Sequence, residues 1–256
     1  MADITADYVI VGAGSAGCVL ANRLSADPAI RVVLLEAGGR DWNPWIHIPV
    51  GYFKTMHNPS VDWCYKTEPD PGLNGRSIDW PRGKVLGGSS SLNGLLYVRG
   101  QPQDYMRWRQ MGNPGWGWDG VLPLFKRSEC QERGADEFHG TDGPLSVSNM
   151  RLQRPICDAW IAAAQAAGYP FNPDYNGAVQ EGGSYFQLTT RNGRRCSAAV
   201  AFLNPARSRP NLRIITRAHT QKVLIEGGRA SGVVYRDEAG ALHTVRTEGE
   251  VILSSG

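Results

Sequence analysis

Three glycines followed by a carboxylate are the first residues in this chain whose types and spacing could do chemistry. Residues 8–17 read Tyr-Val-Ile-Val-Gly-Ala-Gly-Ser-Ala-Gly, and a second apolar run, Val32-Val33-Leu34-Leu35, closes on Glu36 and Ala37. In this pattern Gly12 allows a tight turn out of a strand, Gly14 lets a pyrophosphate approach the backbone, and Gly17 lets the following helix pack on the strand. With Ser15 at its start, that helix offers free N–H groups and the positive end of its dipole to phosphates. Glu36 stands about twenty residues further on, where a carboxylate accepts hydrogen bonds from a ribose diol. A lone glycine triplet means little in a chain with 31 glycines. Strand, glycine turn, helix, strand and acid in succession specify a dinucleotide site, with Gly12, Gly14, Ser15, Gly17, Glu36 and Ala37 as its candidate residues.

A second group lies at residues 80–93, Trp-Pro-Arg-Gly-Lys-Val-Leu-Gly-Gly-Ser-Ser-Ser-Leu-Asn. Arg82 and Lys84 bring positive charge beside Gly87-Gly88-Ser89-Ser90, a loop whose N–H groups and hydroxyls suit an anion. Composition alone fits a glycine-rich surface loop equally well. Beside the first group, it reads as a second wall around the same ligand.

The elements that must position these residues follow from periodicity and breakers. Asp7–Val11 and Arg31–Leu35 read as strands around a helix, Ser15–Ser25, whose Ala16, Val19, Leu20 and Leu24 share a face. Asp27-Pro28 ends that helix, since proline removes a donor and bars its neighbour from the α region. From Gly38 to Trp80 the chain holds five prolines and four tryptophans with little periodicity, which reads as a lid. Its tryptophans, Trp42, Trp45, Trp63 and Trp80, are expected to pack against something. Helices are expected at Gln103–Gln110, Trp118–Arg127 and Pro155–Gly168, the last with Ile156, Ala159, Trp160, Ala163 and Ala167 on one buried face. Alternation at Tyr185–Thr190 predicts a short strand, and Ser197–Leu203 a short helical stretch. Strands then follow at Leu212–Ile215, Thr220–Ile225, Ala230–Tyr235, Leu242–Val245 and Val251–Leu253, with turns at Gly227-Gly228 and Ala239-Gly240.

Composition narrows the function classes. The chain is 41% hydrophobic and 20% charged with a net charge of +3, an ordinary globular balance that gives no argument for nucleic acid. No apolar run reaches the ~18 residues that span a bilayer. The acidic N-terminal stretch Met1-Ala-Asp-Ile-Thr-Ala-Asp7 is unlike a signal peptide, so a cytoplasmic protein is expected, with peripheral contact at the inner membrane face left open. Cys18, Cys64, Cys130, Cys157 and Cys196 are odd in number and widely spaced, which predicts neither a disulfide framework nor a metal site. His47, His57, His139, His219 and His243 are scattered and read as loop or strand residues, with none assigned to catalysis.

Several segments together resemble the glucose-methanol-choline (GMC) flavoprotein oxidoreductases. Gly83-Lys84-x-Leu86-Gly87-Gly88-Ser89-Ser90-x-Leu92-Asn93 with Tyr97-x-Arg99-Gly100 is similar to the family's first signature. His139-Gly140-x-x-Gly143-Pro144-Leu145, Gly193-x-Arg195-x-Ser197-Ala198-x-x-Ala201-Phe202-Leu203, Arg209-Pro210-Asn211-Leu212 and the closing Glu250–Gly256 segment are similar to later ones, in order. The nearest flavour is the choline-dehydrogenase-like alcohol dehydrogenases.

What the resemblance implies is an α/β fold of the Rossmann-like FAD-binding type (GMC / p-hydroxybenzoate hydroxylase), with the start of a discontinuous substrate domain. Residues 1–155 and 193–256 are expected to form the FAD-binding domain, including the lid at 38–80, and residues 156–192 the first piece of the substrate domain. The dinucleotide is expected to be FAD. To the residues above, the resemblance adds Arg82, Gly87, Gly88, Ser89, Ser90, Asn93, Gly94, Val223 and Gly256 as cofactor-binding residues. Asn93 either lies beside the flavin ring or caps the short helix after the serines. Some members carry, just before this Asn, a His that bonds to the flavin; Leu92 cannot, so non-covalent FAD is expected. The activity implied is oxidation of a small-molecule alcohol to an aldehyde by hydride transfer to flavin, with an unspecified electron acceptor. The family scaffold also hosts lyases and a light-driven decarboxylase, and a non-catalytic FAD-binding piece is a further alternative. The family's catalytic His and its His or Asn partner are expected beyond Gly256, so the chain reads as the cofactor-binding first half of a longer enzyme and is expected to be inactive alone.

Overall fold

In the computed structural model, which describes residues 4–256, the first apolar run forms a strand, Ile4–Val11 (β1), followed by a helix, Ser15–Leu24 (α1). The second run forms Val32–Leu35 (β2), buried at all four positions. Such uniformly apolar strands belong in a parallel sheet covered on both faces. The chain divides into two compact units, residues 1–94 with 195–256, and residues 95–194.

The first unit is built on a six-stranded sheet. Its spatial order is His219–Glu226, Arg229–Arg236, Leu242–Leu253, β1, β2, Leu212–Ile215. β1 runs parallel to β2 and to Leu242–Leu253, and β2 parallel to Leu212–Ile215. The remaining pairs are antiparallel. Leu242–Val245 and Val251–Leu253, expected as separate strands, are the ends of one twelve-residue strand. Its register against β1 slips between Ala6 and Tyr8, where Gly249 has its α-carbon against the Asp7 carbonyl and a side chain would not fit. The bulge thus absorbs the residues that read as a break. Val9, Val11, Val33, Leu35, Val233 and Val245 form the core with Ala6, Ala218 and Tyr235.

Around this sheet the 38–80 segment folds into short helical turns, Pro44–His47 and Tyr52–Thr55, and a two-stranded ribbon, Tyr65–Lys66 with Asp79–Trp80. Ile46, Val61, Val85 and Leu92 pack as a small core beneath it. Asp62, buried, accepts from the N–H groups of His57, Cys64 and Arg82 at 2.8, 3.0 and 2.9 Å and so ties the segment to the second glycine loop. Trp42 departs from expectation. It is 76% exposed, and its ring faces the Arg40 guanidinium instead of a core.

The second unit contains helices Pro102–Gln110, Trp118–Ser128 and Pro155–Ala166. Proline opens the first and third, where its missing N–H costs nothing. A short parallel ribbon joins Glu129–Gln131 to Leu145–Val147. Tyr185–Thr189 forms no strand: Leu188 makes isolated bridges to Leu96 and Ser148, and Thr190 alone enters a two-residue strand, Thr190–Arg191. The apolar face of Pro155–Ala166 is not buried either. No residue of that helix is buried, and Trp160 is 66% exposed. The periodicity marks an apolar stripe correctly, but nothing among the described residues covers it.

A polar cluster forms the heart of this unit. The Arg99 guanidinium donates to the Glu129 carboxylate at 2.7 Å, both fully buried. His139 joins Glu129 (Nδ1, 3.1 Å) to Asp174 (Nε2, 2.9 Å). Gln131 and Gln187 exchange side-chain amide bonds at 2.9 and 2.8 Å. His139 is therefore a buried structural cation: the hydrogen bonds that its ring N–H groups donate to Asp174 and then Glu129 lift its pKa to about 9 against the cost of burial. Asp174 resists the upward pull of burial and is held below the usual carboxylate range by bonds from His139 and the Asn176 N–H.

Candidate cofactor site

A cleft of about 850 Å³ opens in the first unit where β1, β2 and Leu242–Leu253 end, at Val11, Leu35 and Leu253. Ligands of open α/β sheets bind outside these carboxyl ends. Gly12 turns the chain out of β1 at φ +96°, a conformation only glycine adopts without strain, and its backbone lies against Ser254. Gly14 caps α1, which has no side-chain acceptor at its N-terminus and no acid in its first turn. The first N–H groups of α1 are thus left to a ligand. Beside Gly14, space is open: a β-carbon there would meet nothing nearer than 3.8 Å.

The second glycine loop reaches the same place. Gly87 donates its N–H to the Ala13 carbonyl at 2.8 Å, and Gly88, at φ +53°, sits on the α-carbon of Gly14. Ser89 accepts from the Gly83 N–H at 3.1 Å. Glu36 is buried at the end of β2, where its carboxylate accepts from the N–H groups of Ala13 and Gly38, both at 2.8 Å. Burial pushes its carboxyl up from the ordinary range, opposed by these two bonds. The acid thus fixes the glycine turn as well as lining the cleft.

Among the sequence candidates, Gly12, Gly14, Ser15, Glu36, Ala37, Arg82, Gly88, Ser89, Val223 and Gly256 line the cleft. Gly17, Gly87, Ser90, Asn93 and Gly94 do not. Gly17 lies under the Gly12 carbonyl, and Gly87 faces Ser91 and Ala199. Ser90 donates to the Gly87 carbonyl at 2.5 Å and accepts from the Ala198 N–H at 2.9 Å. Asn93 accepts from Arg195 at 2.8 Å. Gly94 is exposed, with open space beside its α-carbon.

Other residues of the cleft carry no glycine signature and escape sequence reasoning. Trp63, Tyr65, Trp80, His219, Gln221 and Lys222 line it. The Trp63 ring stacks on Tyr65 at 5.6 Å, meets His219 at 5.4 Å, and lies under the Lys84 ammonium at 4.6 Å. Arg82 lies over Trp80 at 4.9 Å. Only the density of tryptophan in the 38–80 segment hinted at this aromatic wall. Cys18, behind the turn, is packed and unreactive: burial pushes its thiol up to about 12. Among the described residues no helix is long and apolar enough to cross a membrane.

Comparison with known proteins gives the family. The chain is 50% identical over 252 residues to an alcohol dehydrogenase (acceptor) of Pseudomonas putida, covering 98% of this chain and 46% of that protein. It is 46% identical over 258 residues to the mitochondrial choline dehydrogenase of Homo sapiens, covering 97% and 43%. Among solved structures, pyridoxine 4-oxidase from Mesorbium loti superposes with a TM-score of 0.93 at 37% identity, over 98% of this chain and 49% of that one. A formate oxidase from Aspergillus oryzae RIB40, studied for modification of its FAD, superposes at 0.90 and 28% identity, over 100% and 46%. The chain therefore spans about half the length of the relatives it matches. The profile described as GMC oxidoreductase matches residues 6–256, and the chain belongs to that family.

Proposed function

We propose that this chain is the cofactor-holding half of an FAD-dependent enzyme that oxidises a small-molecule alcohol to an aldehyde. The observation that carries the reading is the meeting of two glycine loops, at Gly14 and Gly88, on one cleft with Glu36 at its wall. The residues fit a flavin dinucleotide. Bare backbone at Gly12, Gly14 and Gly88 and the uncapped start of α1, with Ser15, suit a pyrophosphate. Glu36 keeps carboxylate lone pairs beyond the two it uses on Ala13 and Gly38, enough to accept from a ribose diol. Arg82 and Ser89 supply charge and a hydroxyl, Ala37, Val223 and Gly256 offer backbone, and the Trp63 face suits a purine. Gly17, Gly87 and Ser90 hold these groups in place, with Asn93 and Gly94 at the end of the second loop. FAD, when bound, supplies the hydride acceptor. Leu92 has no nucleophilic atom, so the flavin is held without a covalent bond.

The relatives named above, an alcohol dehydrogenase and a choline dehydrogenase, support an alcohol as substrate. No catalytic base is assigned among residues 4–256. The reading places the proton-abstracting His in the region that the longer relatives have beyond the matched half. It also assigns residues 1–155 and 193–256 to cofactor binding and 156–192 to a substrate domain. Backbone contacts alone divide the chain differently, at 94/95 and 194/195.

The test is a visible spectrum and a dye-reduction assay on the full-length protein, with residues 1–256 in parallel. Flavin absorbance and alcohol-dependent dye reduction by the full-length protein are expected, with no turnover by residues 1–256, since loss of a positioned base costs about 10²- to 10⁴-fold. Absence of flavin after reconstitution, or robust turnover by residues 1–256, sinks the reading.

A further inference from the structure

Cys64 is a strained residue in the middle of the cleft's aromatic wall. Its φ is +53°, in the left-handed region, where a side chain crowds the backbone and glycine is the usual occupant. The residues on either side of it, Trp63 and Tyr65, both line the cleft, and their rings stack at 5.6 Å within 5° of parallel. A conformation this unfavourable persists only where the surroundings hold it.

Asp62 supplies that hold. It is 2% exposed, and its Oδ1 accepts from the Cys64 N–H at 3.0 Å. The same oxygen accepts from the Arg82 N–H at 2.9 Å. Oδ2 accepts at 2.8 Å from the N–H of His57, a second left-handed residue at φ +64°. The main chain fixes the carboxylate in turn. Asp62 bridges Gly83 in antiparallel pairing, Trp63 donates its N–H to the Arg82 carbonyl at 2.9 Å, and Lys84 donates to the Val61 carbonyl at 2.7 Å. Hydrogen bonds to a buried carboxylate are stronger than those between neutral groups, so these three offset the strain of the left-handed turn.

We propose that Asp62 is a positioning residue for the cofactor: by holding Cys64 left-handed, it presents Trp63 and Tyr65 to the cleft as one stacked wall. This rests on the FAD reading above. It goes beyond that reading by placing control of the wall on a carboxylate that does not itself line the cleft. Without the carboxylate, Cys64 relaxes to negative φ and the two rings part.

Release of FAD from the full-length holoenzyme after dilution, followed by free-flavin fluorescence, tests this without any turnover. Asp62→Ala is expected to release FAD about tenfold faster or more, the range for losing a charge-assisted hydrogen bond. Adding Cys64→Gly is expected to slow release again, because glycine keeps a positive φ without strain. Adding Cys64→Ala instead is expected to change nothing, since alanine is crowded there as cysteine is. In a Trp63→Leu/Tyr65→Leu background the wall is already gone, and Asp62→Ala is expected to add little, because one interaction cannot be removed twice. Three results overturn the proposal and leave Asp62 an anchor of the fold: unchanged release in Asp62→Ala, equal release with Cys64→Gly and Cys64→Ala, or the full tenfold effect in the background without the wall. If Asp62→Ala yields no soluble protein, Cys64→Val is compared with Cys64→Gly in the otherwise native enzyme. Faster release from Cys64→Val then supports the proposal, and equal release overturns it. A wild type that holds no flavin fails the FAD reading itself, a result distinct from all of these.

Discussion

The α-carbon of Gly14 lies where a side chain on Gly88 would begin, only 2.7 Å from that position. Two loops more than seventy residues apart in sequence thus touch backbone to backbone, and each glycine is required for a different reason. Gly14 has free space on its other side, whereas Gly88 has none and adopts φ +53°.

The two positions therefore separate binding from folding. Gly14→Val is expected to yield a folded protein that no longer binds FAD, since the added methyls fill the pyrophosphate space. Gly88→Ala is expected to lower stability by about 1–3 kcal/mol as well, through strained backbone and contact with Gly14. Equilibrium dialysis with FAD and urea unfolding read the two effects; a Gly14→Val protein with wild-type affinity contradicts the assignment.

Glu36 carries a double duty that sequence reasoning divides differently. A ribose ligand alone would make Glu36→Ala harmless to folding. The carboxylate also satisfies the buried N–H groups of Ala13 and Gly38. Glu36→Ala is expected to weaken FAD binding and to destabilise the apoprotein by roughly 1–3 kcal/mol, the penalty for stranded buried donors. Unchanged denaturant midpoints for the apoprotein would show that water replaces the carboxylate.

His139 makes stability depend on pH at the alkaline end. Its pKa, ordinarily near 6.5, is lifted to about 9 by Asp174 and Glu129, so the folded state holds a proton that the unfolded chain gives up. The stabilisation is fully present below about pH 6.5 and fades as pH rises through about 9, on the order of 3 kcal/mol in total. Asp174, depressed in the folded state, acts oppositely and loses its contribution only as pH falls below the usual carboxylate range. Thermal melts at pH 6.5 and 9.5 are expected to separate in the wild type and to converge in His139→Gln. Equal slopes in both proteins would assign the alkaline loss elsewhere.

On the FAD reading, Leu92 offers no atom to which the flavin could be bonded. Acid precipitation of the holoprotein is expected to release all yellow colour to the supernatant. Colour in the pellet would reveal an attachment at some other side chain.

The first motif was legible because each of its jobs leaves a residue-type signature: apolar strands, glycines at a turn, an acid at a strand end. Helix starts were legible for the same reason, through Pro102 and Pro155. The aromatic wall was not, because Trp63 and His219 are brought together by the sheet from positions far apart in sequence. Nor was the Arg99–Glu129–His139–Asp174 cluster: Arg99 and His139 stand in separate family segments, and nothing in the sequence joins them to Glu129 and Asp174. The exposed stripe on Pro155–Ala166 is the converse case. Periodicity reports that a face is apolar, not what covers it.

The pairing of β1 with Leu242–Leu253 has a consequence for synthesis. A strand made early hydrogen-bonds to one made more than two hundred residues later, from Ile4 with Val245 to Val11 with Leu253, with a slip between Ala6 and Tyr8. During translation at about 5–20 residues per second, β1 therefore waits tens of seconds with one edge unpaired. Its pairing with β2 is available early, but the sheet's middle closes only after the ribosome has passed Leu253. Such non-local closure is slow and leaves a strand edge exposed while it waits.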